Sequence, residues 1–284
     1  MKNSICAALL ASATLLAAST AAHAQDDAEP KRNVFEGDSL TIGLGALYGP
    51  SYDGSDDGRI SPLPAIRGRI GGVTINPRQG GVALDVIPDA RGAKVGLAFG
   101  PAVGLSLNRA RGIKDPVVAA AGKLDMAVEL GANAGLRINR VLHDYDWVTI
   151  SSDVKWDVAG AYGGMTVRPA ISYNTPLSKG VLLTTMAYAH HADDSYARYY
   201  YSVTPAQSSA SGLPQFNAKG GWDKVGAGAL VAWDLSGDLR DGGFAVLGLA
   251  AYSRMLGDGK TTPYTSLRGS PDQWLGGLGI AYTF

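Results

Sequence analysis

The stretch His190-His191-Ala192-Asp193-Asp194-Ser195 gathers residue types that can do chemistry. A carboxylate beside an imidazole can orient it as a base for a serine or water nucleophile, which would make a hydrolase at a barrel rim. Neighbouring residues on a strand, however, point to opposite faces, so His190 and His191 cannot both serve one site. The segment also lies where an alternating run meets a long polar link, and polar residues belong there. The chain has four histidines, and none supplies a matching third metal ligand. Asp53-Gly54-Ser55-Asp56-Asp57-Gly58 resembles the start of a calcium loop, but the position that needs a bidentate Glu is Pro64. Turn chemistry accounts for it better. Tyr196 to Ser202, YARYYYS, could stack on a sugar or peptide, although an aromatic belt is the favoured reading. No catalytic, cofactor-binding or metal-binding residue is therefore assigned.

The elements that carry these residues alternate with period two. Between 124 and 139, Leu124, Met126, Val128, Leu130, Leu136 and Ile138 share one face, while Asp125, Glu129, Asn133 and Arg137 share the other. The segments at 147–162, 165–174 and 222–235 repeat the scheme, which specifies strands rather than helices. These runs reach ten residues or more, where strands of soluble sandwiches are usually about five or six. A sheet in lipid must close on itself to satisfy its backbone, so the reading is a closed antiparallel transmembrane β-barrel. Its apolar face meets lipid and its polar face lines the lumen.

Twelve strands are expected, at 40–48, 60–70, 73–78, 82–87, 95–108 and 124–139, then 147–162, 165–174, 181–192, 222–235, 244–256 and 274–284. The short pair around 73–87 is essential to the even count that single-chain bacterial barrels show. Short turns at 89–94, 139–146, 175–180 and 236–243 are expected in the periplasm, and longer links at 49–59, 109–123, 193–221 and 257–273 outside. Trp147, Trp156, Tyr162, Tyr173, Tyr188, Trp233, Tyr282 and Phe284 fall near strand ends, as interfacial girdles do.

Residues 1–24 have the order of a signal peptide: Lys2, an apolar run from Ile5 to Ala18, and Ala22-His23-Ala24 before the cut. Cys6 lies within it, so the mature chain carries no cysteine and no disulfide. Residues 25–38 read as a flexible N-terminal segment and 39–284 as the barrel. Formal charge is +0, which gives no reason to expect nucleic acid. Thirty-eight glycines are about twice the usual ~7% share, and they sit inside the alternating segments.

The expected lumen charges are Asp85, Asp125, Glu129, Asp153, Asp157 and Asp234, against Arg67, Arg69, Arg78, Arg137, Lys155, Arg168 and Lys224. So balanced a set can pair across the interior, where an unpaired charge is costly. Gly96, Gly100 and Gly104 leave room for those side chains. The expectation is a narrow or occluded lumen.

Three stretches resemble the MltA-interacting protein (MipA)/OmpV family: IGLGALYGPSYDGSDDGRISPLPAIRGR, YYYSVTPAQSSASGLPQFNAKGG, and SRMLGDG with the terminal WLGGLGIAYTF. The Y-x-V-T-P-x-Q-x-x-x-S-G-L pattern followed by Gly-Gly is the most distinctive. The resemblance implies an outer-membrane barrel without established catalytic residues or cofactors. Some members are scaffolds that bridge a murein transglycosylase and a peptidoglycan synthase, and others are porin-like or adhesive. The expected function is a non-enzymatic scaffold, with a narrow channel and a rim hydrolase as alternatives. Ile280, Tyr282 and Phe284 match the aromatic-ended signature read by the barrel-assembly machinery.

Overall fold

The computed structural model describes residues 33–90 and 92–284. The expected leader with Cys6, and the first part of the N-terminal segment, lie outside these. Residues 34–36 form a 3-10 turn, and the Val34 N–H donates to Arg240 O at 2.8 Å.

Twelve antiparallel strands close into one barrel. The first six are β1 (Ser39–Pro50), β2 (Gly58–Ile70), β3 (Val73–Arg78), β4 (Gly81–Asp85), β5 (Val95–Ser106) and β6 (Ala127–Asn139). The rest are β7 (Trp147–Asp157), β8 (Met165–Ser178), β9 (Val181–Ala192), β10 (Gly221–Asp234), β11 (Gly243–Met255) and β12 (Asp272–Thr283). Each strand pairs with its sequence neighbour, and β12 returns to β1 from Thr41↔Thr283 to Tyr48↔Gly276. A Cβ on Gly45 would lie 2.4 Å from Leu278 O, so only glycine fits this closing contact.

The burial pattern is that of a lipid-facing wall. Leu97 is 57% exposed and Trp156 49%, while Asp153, on the same strand as Trp156, is 5% exposed. A soluble β-protein would show the reverse, because its apolar face packs inward. Short links at 71–72, 86–94, 140–146, 179–180 and 235–242 share the end that carries the barrel's two termini. The longer links of the opposite end hold α1 (Pro116–Ala120), α2 (Asp194–Tyr201), α3 (Pro205–Ser211), α4 (Gly257–Thr261) and α5 (Pro263–Ser266). That asymmetry orients the barrel with its long links outside.

Three expectations are corrected. β6 starts at Ala127, so the alternation at 124–126 precedes the strand. β7 stops at Asp157, whose carboxylate accepts the N–H groups of Ala159, Tyr162 and Gly163 and bends the chain there. Trp147, Tyr162 and Tyr188 are not girdle residues. Trp147 and Tyr188 lie under inward-facing guanidinium groups, and Tyr162 is buried above β7. Trp156, Trp233, Tyr282 and Phe284 do face outward.

Candidate functional site

Among the described residues, the lumen gathers the candidate side chains, and the long links cap it. Asp193 starts α2 by accepting the Tyr196 N–H at 2.9 Å. Tyr196, Ala197, Tyr200 and Tyr201 then fall on one helical face and are buried. They pack with Tyr162, Ala192, Met255 and Ala218. Ring centroids of Tyr162 and Tyr196 are 5.0 Å apart, and those of Tyr196 and Tyr200 4.5 Å. The tyrosine run is thus the core of a plug, not a membrane belt, and the 193–221 link is largely helical.

A second layer lies above: Tyr52, Val118, Val203, Leu213 and Tyr264. Arg109, 1% exposed, stands 3.8 Å over the Tyr264 ring and donates to Tyr200 O at 3.2 Å. Asp115 caps α1 and takes Arg268 at 2.7 Å, tying two long links together. The distinctive V-T-P-x-Q pattern is structural. Thr204 and Gln207 form a reciprocal capping box around Pro205 at the start of α3, and Gly212 ends it at φ +75°.

Under the cap the charges pair. Lys155 binds Glu129, which also accepts the Tyr162 hydroxyl at 2.9 Å. Lys224 meets Asp53 at 2.8 Å. His190 Nδ1 lies 2.6 Å from Asp223 Oδ1, and the Tyr201 hydroxyl donates to the other oxygen of Asp223 at 2.6 Å. Lower down, Arg78 reaches Asp153 at 2.9 Å. Arg168 sits 4.0 Å over Tyr188, and Arg137 4.6 Å over Trp147. These contacts join β3, β6, β7, β8, β9 and β10. The facing wall, β11–β12–β1–β2, turns glycine, alanine and leucine inward over most of its height, with Arg67 and Arg69 at the lower end of β2: Leu275 lies against Gly49 and Leu47 against Gly277.

The sequence candidates divide accordingly. Glu129, Asp153, Lys155 and Lys224 sit in ion pairs, and Arg137 and Arg168 stack on rings. Gly104 gives the Lys155–Glu129 pair its space, since a Cβ there would lie 2.7 Å from Lys155 Nζ. Asp85, Asp157 and Asp234 instead hold backbone N–H groups at strand ends. Asp125 is not in the lumen; it is exposed ahead of β6.

His190 is not joined to Asp193 or Asp194. Asp193 caps α2, Asp194 accepts the Gly220 N–H, and His191 faces the outer side against Trp222. Sequence reading missed Asp223, because β10 carries a bulge between Trp222 and Lys224 that turns both Asp223 and Lys224 inward. It also missed the partners Asp53 and Asp115. Among the described residues, no group of three or more His, Cys, Asp or Glu side chains could hold a metal.

Electrostatics in the cap follow from burial. Burial above all, then the charges of Asp53 and Asp223, pushes the Tyr196 hydroxyl well above its usual range. Burial and Asp223 do the same to Tyr201. For Asp115 burial acts upward, but the Arg268 contact and the N–H groups of Val118 and Val117 outweigh it and hold the carboxyl low. The cap therefore keeps its phenols neutral and this carboxylate charged.

The chain is similar to several solved proteins. The COG4313 outer membrane channel from Pseudomonas putida F1 is 12% identical, with TM-score 0.44, covering 91% of this chain and 99% of its own. The outer membrane protein OprD from Pseudomonas aeruginosa is 11% identical, with TM-score 0.28, covering 90% and 96%. The CymD monoaromatic hydrocarbon channel is 8% identical, with TM-score 0.34, covering 87% and 88%. No curated protein sequence matches. The sequence model of the family described as MltA-interacting protein MipA matches residues 42–284. With a closed twelve-stranded wall, an inward charge set and that match over nearly the whole barrel, this outer-membrane β-barrel belongs to the MltA-interacting protein MipA family.

Proposed function

We propose that the barrel acts by binding rather than catalysis, offering its short-turn rim to a murein transglycosylase and, through it, to a peptidoglycan synthase. The family description supports the first partner. The observation that carries the reading is the β6–β7 turn, where Leu142 is 77% and Tyr145 75% exposed. Asp146 holds that turn rigidly: its carboxylate accepts the N–H groups of Val141 and Leu142 at 2.7 and 2.9 Å, and the Tyr173 hydroxyl at 2.8 Å. Two apolar side chains on a fixed support make a contact that costs little ordering entropy on binding. Export through cleavage after Ala24, and recognition of Ile280, Tyr282 and Phe284 by the barrel-assembly machinery, belong to the same proposal.

A photo-crosslinker at position 142 or 145 is expected to trap a murein transglycosylase in intact cells, and Leu142→Asp with Tyr145→Asp to abolish its co-purification. Undiminished co-purification from the double variant would remove this rim from the reading. A narrow channel for small solutes is the second reading, favoured by Arg67 and Arg69, which face the lumen from β2. Liposome swelling in small sugars or zwitterions would support it.

A further inference from the structure

The wall is not laddered throughout. β2 pairs with β3 only at Gly68↔Ile75, Arg69↔Thr74 and Ile70↔Val73, while its other edge pairs with β1 from Ser39↔Arg69 to Pro50↔Gly58. The hydrogen-bond alternation explains where pairing stops. The Ser51 N–H donates to Asp57 O at 2.8 Å, one step beyond the β1–β2 register. Odd-numbered residues of β2 therefore bond to β1, and even-numbered ones point their backbone toward β3. Pro62 and Pro64 are even, so both missing N–H groups lie on the β3 side. On β3, the residues pointing at β2 are Val73, Ile75 and Pro77, and Pro77 is the next partner due, opposite Ile66. Pairing ends at the position where Pro77 has no N–H to return to Ile66 O.

An interval in the wall results. Below it lies the Gly68–Ile75 pairing, and above it Arg59 Nη1 donates to Arg111 O at 2.5 Å. Outside, Ile60, Pro62, Pro64 and Ile66 are exposed and apolar. Inside, Leu63 and Ala65 continue the apolar wall of Leu47 and Leu275. At its foot are Arg67 and Arg69, both exposed, with no ion pair or hydrogen bond to any described residue. Unpaired carbonyls at membrane depth are tolerated where they line a polar cavity, and Arg67 and Arg69 face the lumen at this height.

We propose that this interval is a lateral port for an anionic amphiphile, a single apolar chain with a carboxylate head. The chain lies along the leucine and glycine wall and passes between Pro64 and Pro77 into the bilayer. Arg67 and Arg69 hold the head by charge-assisted hydrogen bonds. The port is independent of the periplasmic rim and goes beyond the binding role proposed for it.

The test uses the purified full-length protein and cis-parinaric acid, a fluorescent fatty acid. Saturable binding is expected, weakened at least tenfold by Arg67→Gln with Arg69→Gln, and as weak for the methyl ester. Ala65→Trp, which fills the inner mouth of the interval, is expected to slow transfer of bound probe into phosphatidylcholine vesicles at least tenfold. Ala65→Leu reads the same rate if the larger residue prevents folding, which heat-modifiable gel migration reports. Equal affinity for acid and ester overturns the head site, and an unchanged transfer rate in the folded variant overturns the port.

Discussion

The two halves of the lumen handle charge in opposite ways. Toward the long links, Glu129, Lys155, Asp53, Lys224, His190 and Asp223 are matched with partners and sealed under tyrosines. Toward the termini, Arg67 and Arg69 face the lumen with no ion pair or hydrogen bond to another described residue. Pairing is obligatory where water is excluded, because a lone buried charge is far more costly than a solvated one. The paired half is thus structural, and the unpaired half is free to meet something from outside the chain.

That contrast can be broken most forcefully at Glu129. Glu129→Ala strands the Lys155 ammonium and the Tyr162 hydroxyl beneath the cap, and is expected to cost about 3–5 kcal/mol in urea unfolding from detergent. Tyr200→Ala, which empties the middle of the ring cluster, is expected to cost about 3 kcal/mol and to make the 193–220 link protease-sensitive. Asp115→Asn keeps a capping oxygen for α1 but removes the ion pair with Arg268, for about 1 kcal/mol.

The same residue sets a pH dependence. The folded pKa of Asp115 lies below its unfolded value, so its contribution is complete above about pH 4 and is lost as pH falls through the folded value. Hydrogen exchange in α1 should rise in that acid range for the wild type, and Asp115→Asn should show much less of this rise. Arg67→Gln is the smallest effect. With no ion pair or hydrogen bond to a described residue to lose, stability should stay within about 0.5 kcal/mol. A larger loss would mean that the lower half is also structurally paired.

The barrel was legible because lipid and lumen demand opposite residue types, so Ile150 and Trp156 against Asp153 and Lys155 reveal the wall directly. The limits of elements were less so: the alternation through Asp125 and Met126 looks the same whether or not a strand carries it. The plug was hidden by its own composition. Arg198 and Asp194 stand on the exposed face of α2, and without the helical period the tyrosines read as a belt. Asp53 and Asp115 were out of reach because their partners are distant in sequence and only the folded links bring them together. Pro62, Pro64 and Pro77 are visible in any reading, but the edge they blunt appears only once the register is known.

The extra residue at position 223 has a consequence for how the gene could change length. Removing Asp223 would join Trp222 to Lys224 without inverting any side chain of β10, at the cost of leaving His190 and Tyr201 without their shared anion. Removing a residue from the middle of the strand, such as Ala229, would swap lipid-facing and inward-facing positions along one half of it. In β10, single-codon deletions should therefore be survivable at this one site and ruinous nearby.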